Sequence, residues 1–287
     1  MGLGLPLLLL LTAEGASGAS VFSANPFTWD TVQDKLYSFC YGDSYGPLNA
    51  TALAALSKGK MMIHGMEEGA DIAPQYASSE MKVGLAAAQL RAVVPAQLQL
   101  YTVQIDSPRW IYTSGQWFAN HSECLLQRNG SVVKYIMGHQ DPNLPKGKCA
   151  ECCFGTGQND TYTGYCPVFG FDTQCGAENW VRLIVEAVTE NKLDGVFIDG
   201  FQGCDPFAQS CRVLHGSTPA QNTAWMAGLK SALFALAAAL AKLGNKTIIC
   251  NETGNTYFCD GADECFCSAS NDERFGSGPP GTLSVTS

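Results

Sequence analysis

The alternation of strand-like and helix-like segments is the feature that most constrains the fold of this chain. Ala/Leu-rich helical segments separate five apolar, strand-like runs, which lie at 35–42, 60–65, 97–106, 193–200 and 246–252. A strand, a crossover helix and a second strand form the right-handed unit of a parallel sheet. The sequence therefore predicts an α/β fold of the TIM-type (β/α) barrel class.

Five strands are fewer than the eight or so that a complete barrel contains. The segment 110–175 uses much of the length, because it is rich in Gly, Pro, Asn and Cys and has no helical period. Long loops without structure are uncommon in compact domains, so we expect a disulfide-rich insertion after strand three. Within it, Arg128-Asn129-Gly130 between two alternating runs predicts a hairpin. An incomplete barrel is the favoured prediction, and a smaller open sheet is the alternative.

The two ends of the chain differ from the middle. Leu3 to Leu11 is apolar, and small residues follow from Ala16 to Ala19, which is the pattern of a secretory signal without a Lys or Arg in its first segment. We expect a signal peptide at 1–19, a barrel domain at 20–265 and a flexible Ser/Gly/Pro-rich tail at 266–287. Secretion is the corresponding prediction for localisation.

Cysteines and glycosylation sequons fit this compartment. The chain has 13 cysteines, most of them in loop-like sequence, which favours disulfides in a secreted protein. A zinc site at Cys149-x-x-Cys152-Cys153 is disfavoured because no second matching pair with a nearby His follows. Cys40 and Cys250 lie in strand-like runs and fit equally as small buried residues. Asn-x-Ser/Thr sequons, which predict a glycoprotein, occur at Asn49, Asn120, Asn129, Asn159, Asn245 and Asn251.

The charge excludes some classes of partner. A formal net charge of -9 argues against binding to nucleic acid or to an anionic membrane surface, since both require a basic face. We expect no segment after the leader to reach the eighteen or so apolar residues of a membrane span. The sequence gives no indication of the oligomeric state.

Polar residues follow the strands where they end, and these are the candidates for chemistry. Because the carboxyl ends of parallel strands meet at one rim, Asp199 and Glu252 are expected at the ends of adjacent strands, about 5 Å apart. That is roughly the separation that retaining glycoside hydrolysis uses. One carboxylate attacks the sugar carbon, and the other, in its protonated form, donates to the leaving oxygen. The alternative for Asp199 is a turn cap, since Asp-Gly is a common turn pair.

Three segments resemble motifs of glycoside-hydrolase barrels, in the same order and at matching spacing. Residues 120–130 resemble the "H-P-E-W-L-L-R-D-x-G" segment, 171–184 the "D-L-x-N-P-x-x-R-x-W" stretch, and 193–200 the "G-x-D-G-V-F-L-D-G" strand. Cys124 stands at the family's aromatic position and Ser122 at its proline. In related amylase-like and α-galactosidase-like barrels the strand-four aspartate is the nucleophile, so the resemblance implies that role for Asp199. Glu252 is the candidate for the acid/base, which members take from different strands.

Five further residues are candidates for the substrate site. Each also has a structural alternative. Tryptophans can stack on sugar faces but fill cores as often. His64 also fits a hydrogen bond in the core, Asp106 the start of a turn, and Asp172 a helix cap. The candidates are His64, Asp106, Asp172, Trp110 and Trp117. The predicted function is a secreted glycoside hydrolase with a carbohydrate substrate and no metal or cofactor. The alternatives are a non-catalytic extracellular carbohydrate-binding barrel and a structural protein, because a fold alone does not settle function.

Overall fold

The computed structural model describes residues 37–40, 48–64, 79–108, 112–136, 165–199, 204–205, 210–211, 218–244, 246–251, 269–272 and 282–284. The expected signal peptide, Trp110 and Glu252 lie outside these ranges. The helices are α1 (Ala50–Leu56), α2 (Ser79–Val93), α3 (Thr113–Ala119), α4 (Gln174–Glu190) and α5 (Pro219–Lys242). The strands are β1 (Tyr37–Cys40), β2 (Met61–His64), β3 (Leu98–Gln104), β4 (Gln127–Arg128), β5 (Ser131–Val132), β6 (Lys134–Ile136), β7 (Tyr165–Pro167), β8 (Gly195–Asp199), β9 (Cys204–Asp205), β10 (Ser210–Cys211), β11 (Thr247–Asn251), β12 (Ala269–Asp272) and β13 (Thr282–Ser284).

A seven-stranded sheet lies at the centre, in the order β1-β2-β3-β8-β11-β12-β13. Neighbouring strands from β1 to β12 pair in parallel, and β12 pairs with β13 in the antiparallel sense. The first five strands in this order are the five that the sequence predicted, and they are adjacent in chain order. Right-handed crossovers between such strands place every connecting helix on one face of the sheet. The α/β class is confirmed, and the arrangement is compatible with part of a (β/α) barrel.

The two faces of the sheet bury different side chains, because successive residues of a strand point to opposite faces. On the helix face, strand residues such as Val103, Val196 and Ile248 pack with α4 and α5 in the largest core cluster. On the other face, a second cluster consists of Met61, Ile63, Leu100, Phe197 and Ile249. Within the part of the chain that the structure describes, this second cluster contains strand residues only. The sheet is thus buried on both faces, as the interior of a barrel requires.

Helices α4 and α5 form much of the layer that covers the sheet. Thr173 caps α4 by accepting from the Gly176 amide, and Thr218 caps α5 with Gln221 in a capping box. Each helix contributes a buried tryptophan, Trp180 at 2% and Trp225 at 0% exposure. These caps fix where both helices begin, at the carboxyl end of the sheet, since each helix leads back to the start of the next strand.

Helix α5 is long and apolar enough, by length and composition, to cross a membrane. From the sequence we expect no such segment after the leader. Seven residues of α5 are buried, and they pack in the main core cluster between the helices and the sheet. Burial of these seven side chains in the core accounts for much of the hydrophobicity of α5.

The insertion after β3 begins and ends at the carboxyl edge of the sheet, because β3 ends there and α4 starts there. Its predicted hairpin is present: β4 and β5 pair around Asn129 and Gly130, which have φ values of 52° and 74°. A disulfide joins Cys124 to Cys175 and ties the insertion to the first turn of α4. Residues 137–164 lie outside the described ranges, so an insertion rich in disulfides stays a prediction.

Two features near the C-terminus differ from expectation. The segment 266–287, expected as a flexible tail, contributes β12 and β13 to the sheet. Both are short and polar and carry no apolar alternation, so only backbone pairing reveals them. Cys250, for which a small core residue was one expectation, is fully buried and disulfide-bonded.

Candidate active site at the carboxyl end of the sheet

Asp199 is the last residue of β8, and β8 lies between β3 and β11 near the middle of the sheet. By strand alternation it shares a face with Phe197, which belongs to the second cluster. Its side chain is partly exposed, whereas the four preceding residues of β8 are buried. The sequence placed Asp199 at the carboxyl end of a buried parallel strand, and the structure has it there.

Gln104 is the immediate neighbour of Asp199 in the site. The two residues pair in register across β3 and β8, and Gln104 Nε2 donates a hydrogen bond of 3.0 Å to Asp199 Oδ2. Gln104 is 6% exposed. Its carbonyl accepts from the indole Nε1 of Trp180 at 3.0 Å, and the next amide, of Ile105, donates to the Asp199 carbonyl at 3.1 Å.

Gln104 was not among the candidate residues from the sequence. The available signal was an apolar strand that carries three glutamines, Gln97, Gln99 and Gln104, where buried amides need partners. Sequence alone does not tell which of these amides faces the site, because that depends on the register between β3 and β8.

Asp106 places a second carboxyl group at this edge. It lies two residues beyond Gln104, just after β3, and is 8% exposed. Asp106 Oδ1 accepts from the Ser107 amide at 2.7 Å, and its carbonyl accepts from the Phe169 amide at 3.3 Å. The backbone bends at Asp106, and Asp106 and Asp199 lie at the carboxyl ends of adjacent strands.

The second carboxylate of the predicted pair, Glu252, lies outside the described residues. Asn251 ends β11 and pairs in register with Asn271 of β12. β11 is the direct neighbour of β8, so the residue after Asn251 follows a strand adjacent to that of Asp199. The Asp199–Glu252 separation remains a prediction.

Asp172 lies in the turn that precedes α4, on the same edge of the sheet. The cap of α4 is Thr173, whose hydroxyl accepts from the Gly176 amide at 3.0 Å, so the predicted capping role falls one residue later than Asp172. Asp172 itself is exposed. Loss of water around part of its carboxyl group raises the pKa of Asp172, against a smaller lowering by its own backbone amide. A substrate contact for Asp172 stays a prediction.

His64 ends β2, but the structure places it away from Asp199. Strand alternation puts it on the face of Met62, which packs against α1 and α2. Its Nε2 lies 2.9 Å from Gln99 Oε1, and the Gln99 amide donates in turn to Gln97 Oε1 at 3.0 Å. His64 is thus fully buried on the helix side, in a chain of hydrogen bonds with Gln99 and Gln97. The geometry favours the core hydrogen-bonding role, and a contact with substrate stays a prediction.

Trp117 is also on the helix side, where it packs against the main core cluster. Its indole ring is stacked on His121 with the ring centroids 3.8 Å apart, and the guanidinium carbon of Arg182 lies 5.4 Å from its centroid. A sugar could stack on the imidazole-covered face only by displacing His121. The structure does not bring Trp117 to Asp199, and Trp110 lies outside the described residues.

Among the described residues, one group of side chains of metal-ligand type lies at the insertion. The ligand atoms of Glu123, Cys124 and Cys175 are within 4.8 Å of one another. The two sulfurs are bonded to each other, so neither is a thiolate that could bind a metal ion. This group is therefore a disulfide beside an exposed carboxylate.

No protein-family model and no curated protein matches the sequence. Solved structures with some likeness include the glycoside hydrolase domain of PelA from Pseudomonas aeruginosa, at 12% identity and a TM-score of 0.39 over 82% of this chain and 65% of that one. The maltogenic alpha-amylase AmyB from Thermotoga neapolitana has 9% identity and a TM-score of 0.42, over 77% of this chain and 46% of AmyB.

A third likeness is to the cyclic alpha-maltosyl-(1-->6)-maltose hydrolase from Arthrobacter globiformis, at 8% identity and a TM-score of 0.42 over 81% of this chain and 54% of that one. The chain thus spans less than two thirds of the length of each of these three structures. All three TM-scores are below 0.5, so these likenesses do not indicate a function for this chain.

Proposed function

We propose that this protein is a secreted glycoside hydrolase in which Asp199 is the nucleophile. The observation that carries the proposal is the placement of Asp199: a partly exposed carboxyl group at the carboxyl end of a central parallel strand, bonded to the buried amide of Gln104. A charge-assisted bond across two strands fixes the orientation of the carboxylate toward the edge where barrel enzymes bind their substrates.

The proposed reaction needs a second carboxyl group, and Glu252 is our candidate. An oxygen of Asp199 attacks the anomeric carbon, the glycosidic C–O bond breaks, and the protonated Glu252 gives its proton to the leaving oxygen. The ionised Glu252 then takes a proton from water, the water oxygen bonds to the anomeric carbon, and the ester to Asp199 breaks. Both carboxyl groups return to their starting states. No metal or cofactor is required for these steps.

Charge and compartment support a neutral carbohydrate in the secretory pathway. A net charge of -9 disfavours polyanionic sugars by repulsion. Three of the sequon asparagines, Asn49, Asn120 and Asn129, are exposed, and a disulfide between Cys124 and Cys175 suits an oxidising compartment. We therefore propose an extracellular site of action on a neutral glycan.

The experiment is a turnover assay of the full-length chain on a panel of aryl glycosides and neutral oligosaccharides. We expect Asp199→Asn to lower kcat/KM by about 10³-fold or more, since an amide is a poor nucleophile. Asp194→Asn is the matched control, because Asp194 lies at the opposite end of the same strand segment and pairs with Arg91 at 2.8 Å. The control is expected to lower stability and to leave kcat within about twofold.

Two results would decide against this function. Equal turnover by the wild type and Asp199→Asn would remove Asp199 from the chemistry. Binding of a glycan in calorimetry without turnover of any panel member would favour the carbohydrate-binding barrel. A fluorosugar that traps a glycosyl ester, located by peptide mass spectrometry on Asp199, would support the retaining mechanism.

A further inference from the structure

We propose that Gln104 is a positioning residue for Asp199: its side-chain amide holds the Asp199 carboxylate in the orientation that attack on a sugar requires. The inference rests on the proposed function, because it concerns the same reaction. It assigns a role to a residue in β3, whereas the predicted catalytic pair belongs to the ends of β8 and β11.

The position of Gln104 is fixed from two sides. Its carbonyl accepts from Trp180, which is 2% exposed and packs in the main core cluster on the helix face. Its side chain points to the opposite face, where Nε2 donates to Asp199 Oδ2 at 3.0 Å. The core of the molecule thus sets the position of the amide, and the amide sets the position of the carboxylate.

The bond is suited to orient a carboxylate and not to protonate it. An amide N–H donates without transferring its proton, and its bond to an ionised oxygen is stronger than one to a neutral oxygen. The bond to Oδ2 limits the rotation of the Asp199 carboxylate. A carboxylate that is free to rotate would present either oxygen at many angles, and a misplacement of about 1 Å in a reacting group can cost roughly 10²-fold in rate.

A purely structural role is the competing interpretation, in which the bond only satisfies a buried amide. The two interpretations differ in what they predict for Gln104→Met, which keeps the length of the side chain and removes the donor. A structural role lowers the free energy of unfolding and leaves kcat unchanged. A positioning role lowers kcat by about 10- to 100-fold with KM within about twofold, because binding of substrate does not depend on the orientation of the nucleophile.

Gln99→Met is the matched control. Gln99 lies in the same strand, is fully buried and bonds to His64 on the opposite face. Its loss of a buried hydrogen bond is expected to destabilise the protein about as much as Gln104→Met does and to leave kcat unchanged. Gln104→Glu, which replaces the donor by a carboxyl group beside Asp199, is expected to lower kcat further than Gln104→Met.

A second readout does not depend on turnover. In the full-length protein, nuclear magnetic resonance should show a scalar coupling across the hydrogen bond, from Gln104 Nε2 to the carboxyl carbon of Asp199. We expect the coupling to vanish in Asp199→Ala and to persist in Asp194→Ala. Absence of the coupling in the wild type would overturn the proposal.

The outcomes separate the two proposals. If Asp199→Asn abolishes turnover and Gln104→Met has the kcat of Gln99→Met, the positioning role is wrong while the proposed function stands. If Asp199→Asn turns over as the wild type does, the proposed function fails, and the positioning role fails with it. The proposal is supported if Gln104→Met lowers kcat, Gln99→Met does not, and the coupling is present in the wild type.

Discussion

The surroundings of Asp172 oppose the negative charge of its carboxyl group. Part of its carboxyl group is desolvated, which raises its pKa above the ordinary value. The folded state therefore binds a proton more tightly than the unfolded state does, and stability falls as pH rises from about 4, the unfolded pKa, through the raised folded pKa. We expect Asp172→Asn to remove this pH dependence and to be at least as stable as the wild type at pH 7.

Urea unfolding of both proteins at a series of pH values between about 3 and 7 measures the difference. Asp194→Asn serves again as control, since it replaces an aspartate by asparagine at the opposite end of the sheet, where Asp194 pairs with Arg91. If the free energy of unfolding of Asp172→Asn depends on pH as that of the wild type does, the turn does not oppose the charge of Asp172.

The sequence predicts which residues end the strands better than it predicts which face of the sheet their side chains occupy. Asp199 follows a short apolar run, so its place at the end of a strand could be read from the pattern. His64 also ends a strand, yet its side chain lies on the helix face. The reason is strand alternation: His64 shares a face with Met62, which packs against helices, whereas Asp199 shares a face with Phe197 of the second cluster. Gln104 needed the register of β3 against β8, which is a long-range property and not a local one.

Helix α5 passes unusually close to the turn before α4, and Gly228 makes this approach feasible. A Cβ at Gly228 would collide with the carbonyl oxygen of Phe171, which is backbone and cannot move aside easily. We expect Gly228→Ala to destabilise the protein by about 1–3 kcal/mol, although alanine is the better helix former. Thermal or urea unfolding gives the value.

Gly84→Ala in α2 is the matched control for this element. A Cβ at Gly84 would meet only side-chain atoms of Asn191: Oδ1 can move by a rotamer change, and Cβ, at 3.1 Å, requires a shift of a few tenths of an ångström. The gain in helix propensity of about 1 kcal/mol should then offset most of the contact, leaving a change near zero. If Gly228→Ala and Gly84→Ala change the free energy of unfolding equally, the close approach of α5 to Phe171 does not require glycine at position 228.

At the level of elements, long and periodic segments were predicted correctly and short polar strands were missed. The cap at Thr218, the Asn129-Gly130 turn and the five apolar strands all carry local signals, and each is present. The cap of α4 is Thr173, one residue after the predicted Asp172. β12 and β13 carry none, because their pairing with β11 and with each other is a matter of backbone hydrogen bonds. Local sequence cannot indicate a strand whose stability comes from its neighbour.

In the part of the chain that the structure describes, a largely parallel sheet has helices on one face and a separate apolar cluster on the other. The second cluster matters for function, since Asp199 and Gln104 stand at its carboxyl end, in the same face of the sheet as Leu100 and Phe197. In a barrel this face is the packed interior, and its end forms the floor of the site. Packing of the second cluster should therefore support both the stability of the sheet and the position of the two polar residues.

Phe197→Ala tests this view of the molecule. Phe197 is 1% exposed, two residues before Asp199, in a cluster that no described helix joins. If this face is a packed interior, removal of the ring should cost about 3–5 kcal/mol in urea unfolding and should lower turnover through the loosened end of β8. Phe234→Ala, on the partly exposed side of α5, should cost clearly less. A cost below about 1 kcal/mol for Phe197→Ala would mean that the face is open to water, and a barrel-like interior would then be excluded.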